Sequence, residues 1–232
     1  EGMAVIDDPD SILKCTNKVY LTEILTNAKI AIPKTIIVHD DNKDTLSVSL
    51  GLPCVLKLPD SSFSLGVKKV STKDEMNEHL ERMLDESDLV IAQEFIPTEY
   101  DWRIGFIDGN PIYACKYFMA RGHWQIINWD SKSKKSMHGS SKGVPMDEVP
   151  PHVLKTAKKA VKLIGNGLYG VDIKELNGKA YIIEINDNPS IDVGVEDEIL
   201  KDDLYKIIIQ SLKNRIEELL NIHKEPQNVP TF

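Results

Sequence analysis

The chain has 232 residues, of which 41% are hydrophobic and 28% charged, with a formal net charge of −8 at pH 7. That is enough to bury a core in one large domain or in two small lobes, while the acidic balance argues against general nucleic-acid binding, which needs a basic surface. No apolar run approaches the roughly 20 residues of a membrane-spanning helix and no charged-then-apolar leader opens the chain, so a soluble protein with no membrane partner is expected. Cys15, Cys54 and Cys115 are widely spaced and odd in number, which suits neither a disulfide framework nor a structural zinc site and points to the cytoplasm. The chain opens abruptly on "EGMAVIDDPDS" with Met3 not first, and it reads as a processed part of something longer.

Helices and strands alternate along the chain. Tyr20, Leu21, Ile24, Leu25 and Ala28 recur at helical spacing and predict a helix over 16–28, followed after Pro33 by the short strand "TIIV". "GLPCVLKL" (51–58) reads as a buried strand, "DSSFSLG" as a loop of small residues and "VKKV" as the next strand. Thr72 and Glu75 form a capping box ahead of a helix carrying Met76, Leu80, Met83 and Leu84. "LVIAQEFI" (89–96) predicts another strand, and Asp108-Gly109 predicts a hairpin between "WRIGFI" and "PIYACKYF".

From Trp129 to Pro151 the pattern gives way to Ser, Lys and Gly, and a mobile loop is expected. A helix resumes at Pro151 and stops at Gly165 and Gly167. The last helix is expected over 196–223, with Leu200, Leu204, Ile208, Leu212, Ile216 and Leu219 on its apolar face. That face either packs on its own domain or serves as the seam of a homo-oligomer. Residues 224–232 read as a tail, and there is no internal repeat and no polar linker.

The stretch "YIIEINDNPSID" (181–192) begins apolar and ends polar. Glu184 and Asn186 are two apart and share one side of a strand. Their partner is "YGVDIKEL", joined through "NGK". A two-residue Asn177-Gly178 turn would place Asp172 on the face away from Glu184, whereas a three-residue loop with Gly178 left-handed places the two together. The longer loop is expected. Asp172, Glu184 and Asn186 would then gather hard oxygen donors suited to Mg²⁺ or Mn²⁺, although such a set in isolation is more often a solvated hairpin end.

Lys57 lies inside an apolar strand, where an ammonium needs an anion, and a phosphate would serve. The following loop offers Ser61, Ser62, Ser64 and Gly66, with free backbone N–H groups, for phosphate oxygens. It is not a Walker motif. Gln93, Glu94, Phe95 and Ile96 end a strand where a hinge could present backbone polar groups to a base edge. Taken alone, the loop is an ordinary turn and the hinge an ordinary strand end.

Taken in order, "NKVYLTEILTNAKIAIPKT", "PCVLKLPDSSFSLGVKKV", "IAQEFIPTEYDWRIGFIDG", "GLYGVDIKEL" and "AYIIEINDNPSID" resemble the ATP-grasp ligases. The similarity is to the RimK-like group, which includes ribosomal-protein glutamate ligase and relatives of glutathione synthetase, and it spans about Asp8 to Asp192. It implies an α+β fold of two lobes, with antiparallel sheets and flanking helices, holding ATP between them. Residues 8–95 would form the first lobe, including a nucleotide-binding part at 51–95, and residues 96–223 the second, with the metal site.

The implied reaction phosphorylates a carboxylate and lets an amine capture the acylphosphate, on small-molecule or peptide substrates. By the same resemblance Asp172, Glu184 and Asn186 match the metal ligands, Glu184 bridging two ions. Lys57 matches the lysine on the α- and β-phosphates and Gln93 to Ile96 the adenine hinge. Asp101 matches a position beside the nucleotide, and Arg103 an arginine near the transferred phosphate.

Departures from the pattern fall where arginines are usual. Here those regions carry Lys116, Arg121 and "WQIIN", ending at Asn128, and a lysine lacks the arginine fork. Lys116 and Arg121 are candidate catalytic groups and Asn128 a candidate nucleotide contact. Lys132, Lys134, Lys135 and Lys142 mark a lid over an anionic substrate or a solvated face. The family usually carries a domain ahead of the ATP-grasp body. That domain is not recognisable in this sequence, so a partner domain is one expectation. Phosphorylation of a hydroxyl, or nucleotide binding without turnover, are the alternative functions.

Overall fold

The computed structural model describes residues 3–61 and 66–222. Helix α1 (Pro9–Thr16) is N-capped by Asp8, and α2 (Lys18–Asn27) by the side chain of Asn17. The helix expected over 16–28 therefore starts at Lys18, because Asn17 is extended and its Oδ1 accepts from the Tyr20 N–H at 3.0 Å; the helix before it was not foreseen. There follow β1 (Thr35–Val38), α3 (Leu46–Leu50), β2 (Cys54–Lys57), β3 (Val67–Val70), α4 (Lys73–Glu86) and β4 (Val90–Glu94). The four strands form one antiparallel sheet in the order β1-β4-β2-β3. Leu56, Val70, Val90 and Ala92 pack there against Leu46, Met76, Leu80 and Met83 of α3 and α4. The Thr72/Glu75 capping box forms as the sequence predicts.

The second sheet begins with β5 (Tyr100–Ile107) and β6 (Asn110–Phe118), joined by Asp108 and Gly109, both with positive φ. Then come α5 (Lys134–Met137), β7 (Ser141–Gly143), α6 (Pro151–Ile164), β8 (Leu168–Leu176), β9 (Lys179–Asp187) and α7 (Asp202–Ile222), the five strands lying in the order β7-β6-β5-β8-β9. Strand β7 lies inside the segment expected to be a loop. Its sequence, Ser-Lys-Gly, carries no β-forming residue, and pairing with Cys115 to Tyr117 of β6 supplies the order.

Trp102, Ile104 and Phe106 of β5 and Val171 and Ile173 of β8 bury one face of this sheet against α6, α1 and α2. Helices α1 and α2, expected in the first lobe, thus contribute Cys15, Leu21 and Leu25 to the second sheet's core. Helix α7 begins at Asp202 and not at residue 196, because Lys201 takes a left-handed φ of 52° that no continuous helix accepts. Its Leu204 is buried and Ile208 partly packed against the other face of the sheet, while Ile216 and Leu220 are exposed.

The β8–β9 hairpin corrects one expectation and keeps its consequence. The turn is the two-residue one: Leu176 pairs with Lys179, and Asn177 and Gly178 have φ of 52° and 72°. The register changes further along. Ile173 pairs with Ile182 but Asp172 with Glu184, so Ile183 is the extra residue of a β-bulge. Below the bulge Ala180 and Ile182 face the core; above it Ile185 does. Glu184 and Asn186 therefore come to the face that carries Asp172.

Candidate active site

Alternation along β5 sends Asp101, Arg103 and Gly105 to the face opposite Trp102, Ile104 and Phe106, toward the space between the two sheets. Two cavities lie in that space. One, of ≈ 150 Å³, is bounded by Lys57, Val55 and Gln93 of the first sheet, by Phe95, Ile96 and Trp124, and by Asp101, Lys174 and the bulged Ile183 of the second. The other, of ≈ 740 Å³, contains Arg103, Tyr117, His138, Asn186, Asp187 and Glu196. Lys18, Ser61, Asp172 and Glu184 belong to both, so the two carboxylates stand where the cavities meet.

Arg103 pairs with Asp172 across neighbouring strands. Its Nε lies 2.5 Å from Oδ1 and its Nη2 2.9 Å from Oδ2, a two-pronged contact. Burial opposes the guanidinium charge, but the Asp172 carboxylate outweighs it and holds the Arg103 pKa above the ordinary arginine value. Gly170, paired with Gly105, leaves room for this arm: a Cβ there would come 3.0 Å from Arg103 Cδ and 2.8 Å from Pro189 Cβ. Asn186 Nδ2 donates to Asp172 Oδ2 at 3.2 Å and to the Gly170 carbonyl at 3.3 Å. Those bonds use the amide nitrogen and leave the amide oxygen as the donor atom for a cation.

Beside the smaller cavity, Lys57 Nζ donates to Gln93 Oε1 at 2.8 Å, and Gln93 Nε2 to Thr35 Oγ1 at 3.0 Å. Burial pushes the Lys57 pKa down to about 8; Glu184 opposes this, while Lys18 and Lys174 add to it. Such a cation is disposed to take an anionic partner. Lys18 reaches Glu184 Oε1 at 3.1 Å and donates to the Ser61 carbonyl. Lys174 donates to Asp101 Oδ1 at 2.6 Å and Thr98 Oγ1 at 2.8 Å, and burial raises the pKa of Asp101 despite that pair. Phe95 meets Trp124 edge-on at 6.0 Å, and Lys69 Nζ sits 3.9 Å from the Phe95 ring centroid.

The structure thus brings together Asp172, Glu184 and Asn186, and sets Lys57, Ser61, Gln93, Glu94, Phe95, Ile96 and Asp101 around the smaller cavity and Arg103 in the larger one. Gly66 makes a left-handed turn, φ 70°, behind Ser61, while Ser62 and Ser64 lie outside the described residues. Three expected residues stand elsewhere. Lys116 projects from the opposite sheet face, its Nζ 4.3 Å and 4.8 Å from the Tyr100 and Trp102 ring centroids, because Tyr117 takes the cleft-facing place on β6. Arg121 is exposed in the turn after β6 and lines neither cavity. The Asn128 side chain accepts from the Asp130 N–H at 3.1 Å and caps a turn outside both. Lys18 and Lys174 were missed because a lysine on a helix or a half-buried strand carries no sequence mark of what it faces.

Among the described residues no three His, Cys, Asp or Glu side chains form a metal cage. Two carboxylates and an amide oxygen nonetheless fit a magnesium-type ion, which takes few protein ligands and keeps waters or phosphates. Each carboxylate already faces a cation, Arg103 or Lys18, and its two oxygens retain lone pairs for another.

Residues 24–192, well over half of the chain, match the family model described as D-ala D-ala ligase C-terminus. Similar proteins include α-aminoadipate–LysW ligase LysX of Saccharolobus solfataricus, 28% identical over 81% of this chain and 67% of that protein. A probable α-L-glutamate ligase of Thioalkalivibrio sulfidiphilus is 24% identical over 84% and 62%. Among solved structures, D-alanine–D-alanine ligase from Bacillus anthracis superposes with a TM-score of 0.71 at 23% identity, covering 93% of this chain and 71% of that one. The ATP-grasp ligase PsnB, complexed with its minimal precursor, Mg and ADP, gives 0.68 at 21% identity, covering 93% and 63%. The chain spans about two thirds of the length of these relatives. Its two antiparallel sheets with flanking helices are the ATP-grasp fold, and the chain belongs to the D-ala D-ala ligase C-terminus family of ATP-dependent ligases that join a carboxylate to an amine.

Proposed function

We propose that this chain is the ATP-grasp portion of an ADP-forming, RimK-like ligase acting on a carboxylate and an amine substrate. The observation that carries the proposal is the meeting of the two cavities at Asp172 and Glu184. The smaller combines a strand-end hinge with Lys57, a pattern that suits adenine and phosphates. The larger has the volume of a small-molecule or peptide-end site and begins at Arg103.

Phosphoryl transfer is catalysed mainly by positioning and by neutralising charge on oxygens, so no nucleophilic side chain is required. Lys57 and Lys18 would hold the nucleotide's phosphates, Gln93 to Ile96 the base, and Asp101 its surroundings, with Ser61 beside the phosphates. Asp172, Glu184 and Asn186 would hold Mg²⁺ or Mn²⁺, two ions in the arrangement favoured here, and bound there the metal supplies positive charge to the phosphate oxygens. A substrate carboxylate oxygen attacks the γ-phosphorus as ADP leaves. The amine nitrogen then attacks the acyl carbon, and phosphate leaves as the C–N bond forms and the nitrogen loses a proton. Arg103 would steady the oxygens of the group in transfer.

The buried, unpaired Cys15, Cys54 and Cys115 fit a reducing compartment such as the cytoplasm. No helix among the described residues is long and apolar enough to cross a membrane. The named relatives are ligases, which favours an amine over a hydroxyl as acceptor.

Trapping with hydroxylamine tests the reading. With Mg-ATP, a pool of carboxylates and hydroxylamine as the amine, a ligase of this kind yields a hydroxamate together with equal ADP and phosphate. A phosphoester in place of the hydroxamate would make it a kinase.

A further inference from the structure

The metal-ligand hairpin has a closed end, the Asn177-Gly178 turn, and an open end, where β8 begins and β9 finishes. Tyr169 and Asp187 are the last pair at the open end. The next N–H on each strand, that of Leu168 and that of Asn188, lies beyond the ladder and needs an acceptor. One side chain serves both: Asp7 Oδ1 accepts from the Leu168 N–H at 2.7 Å, and Asp7 Oδ2 from the Asn188 N–H at 2.9 Å.

The approach depends on a glycine. A Cβ on Gly167 would stand 1.8 Å from Asp7 Oδ1, so any side chain there displaces the carboxylate. The Asn188 backbone is also unusual, with a left-handed φ of 45° in a residue other than glycine, followed by Pro189, which has no N–H. Such a conformation persists where surrounding contacts hold it. Pro189 then packs beside Gly170 and the Arg103 arm, so residues 186–189 lie directly across β8. Asp7 precedes the stretch that matches the family model, residues 24–192.

We infer that Asp7 is a positioning residue for the metal site: by tying the start of β8 to the end of β9, it fixes the backbone that presents Asn186 beside Asp172. The inference rests on the assignment of Asp172, Glu184 and Asn186 as metal ligands. Residues that orient ligands from outside the coordination shell commonly change metal affinity about 10- to 100-fold when replaced.

The test is Mn²⁺ affinity, measured by electron paramagnetic resonance in the presence of ADP, with ADP binding in EDTA and the melting temperature measured alongside. Asp7→Asn keeps the shape but turns an amide N–H toward a backbone N–H, and it should weaken Mn²⁺ by about tenfold or more while metal-free ADP binding stays unchanged. Gly167→Ala reaches the same contact from the other side. It should weaken Mn²⁺ in the parent protein and clearly less in an Asp7→Ala background, where only the 2.8 Å approach to the Tyr169 hydroxyl remains, a non-additivity that a general loss of stability does not produce. A lowered melting temperature with Mn²⁺ affinity within about twofold of the parent, well below the tenfold expected, would overturn the inference and leave the metal site standing. Absence of saturable Mn²⁺ binding in the parent, or equal binding in Glu184→Gln, would overturn the metal assignment itself and the inference with it.

Discussion

Arg103 and Asp172 face each other across adjacent strands, with Nε–Oδ1 at 2.5 Å and Nη2–Oδ2 at 2.9 Å, at the point where the two cavities join. The pair links the arginine proposed for the transferred phosphate to a carboxylate proposed for the metal. Each holds the other's rotamer, so the site is set before substrate arrives.

Both side chains of that pair are nearly enclosed, at 14% and 15% exposure. Breaking a buried pair by removing one partner typically costs about 3–5 kcal/mol, because the other charge is left uncompensated. Arg103→Met should show a loss of that order in urea unfolding. Arg103→Lys, which keeps the charge without the fork, should lose less stability while turnover still falls. A loss below about 1 kcal/mol in the Met variant would mean that the pair is screened like a surface one.

Lys57 sets a pH dependence. Its pKa is about 8 in the folded chain against 10.5 unfolded, so between those values the unfolded state binds more protons and this group's contribution to stability rises with pH. Phosphate binding runs the other way. It needs the cation, so ADP affinity should fall as pH rises through about 8, by at most about tenfold per unit. Titration calorimetry between pH 7 and 9.5 would show it, and Lys57→Arg should flatten the profile. A flat profile in the parent protein would exclude Lys57 from the phosphate site.

Lys174 and Asp101 form a second enclosed pair, 2.6 Å apart. Lys174→Met should destabilise the protein by about 3–5 kcal/mol, and adding Asp101→Asn should recover much of that loss because the stranded charge is gone. If the double variant is as unstable as the single one, the cost comes from packing and not from charge.

Much of the site could be read from residue spacing, and the errors have identifiable causes. The i, i+2 spacing of Glu184 and Asn186 and the apolar setting of Lys57 marked them as candidates, and the resemblance to the ATP-grasp ligases supplied the roles proposed for them. The turn was misassigned because the register change that unites Asp172 with Glu184 is a bulge at Ile183, and the apolar run Tyr181-Ile182-Ile183 does not betray which residue is extra. Lys116 was expected at the site and Tyr117 was not, since one step along β6 decides the face. Lys18 and Lys174 act through contacts between distant segments, which local pattern cannot show. Strand β7 exists by pairing alone.

Tyr113 lies over Gly105, where a Cβ would come 2.1 Å from the ring, and its buried hydroxyl has no hydrogen-bond partner among the described residues. Gly105→Ala should therefore cost about 1–3 kcal/mol by overpacking. Tyr113→Phe removes an unsatisfied polar group and should be neutral or slightly stabilising. Thermal melts of the two variants should shift in opposite directions or leave Tyr113→Phe unchanged; a marked loss in Tyr113→Phe would mean that the hydroxyl has a partner after all.

The most direct test of the proposed chemistry is phosphorus NMR of the protein with Mg-ATP and a mixed pool of carboxylates and amines, compared with the Glu184→Gln variant. ADP and free phosphate should appear in equal amounts, only when the pool is present, and much more slowly in the variant. A new phosphoester signal, or equal ADP formation by parent and variant, would contradict ligation at the Asp172, Glu184 and Asn186 site.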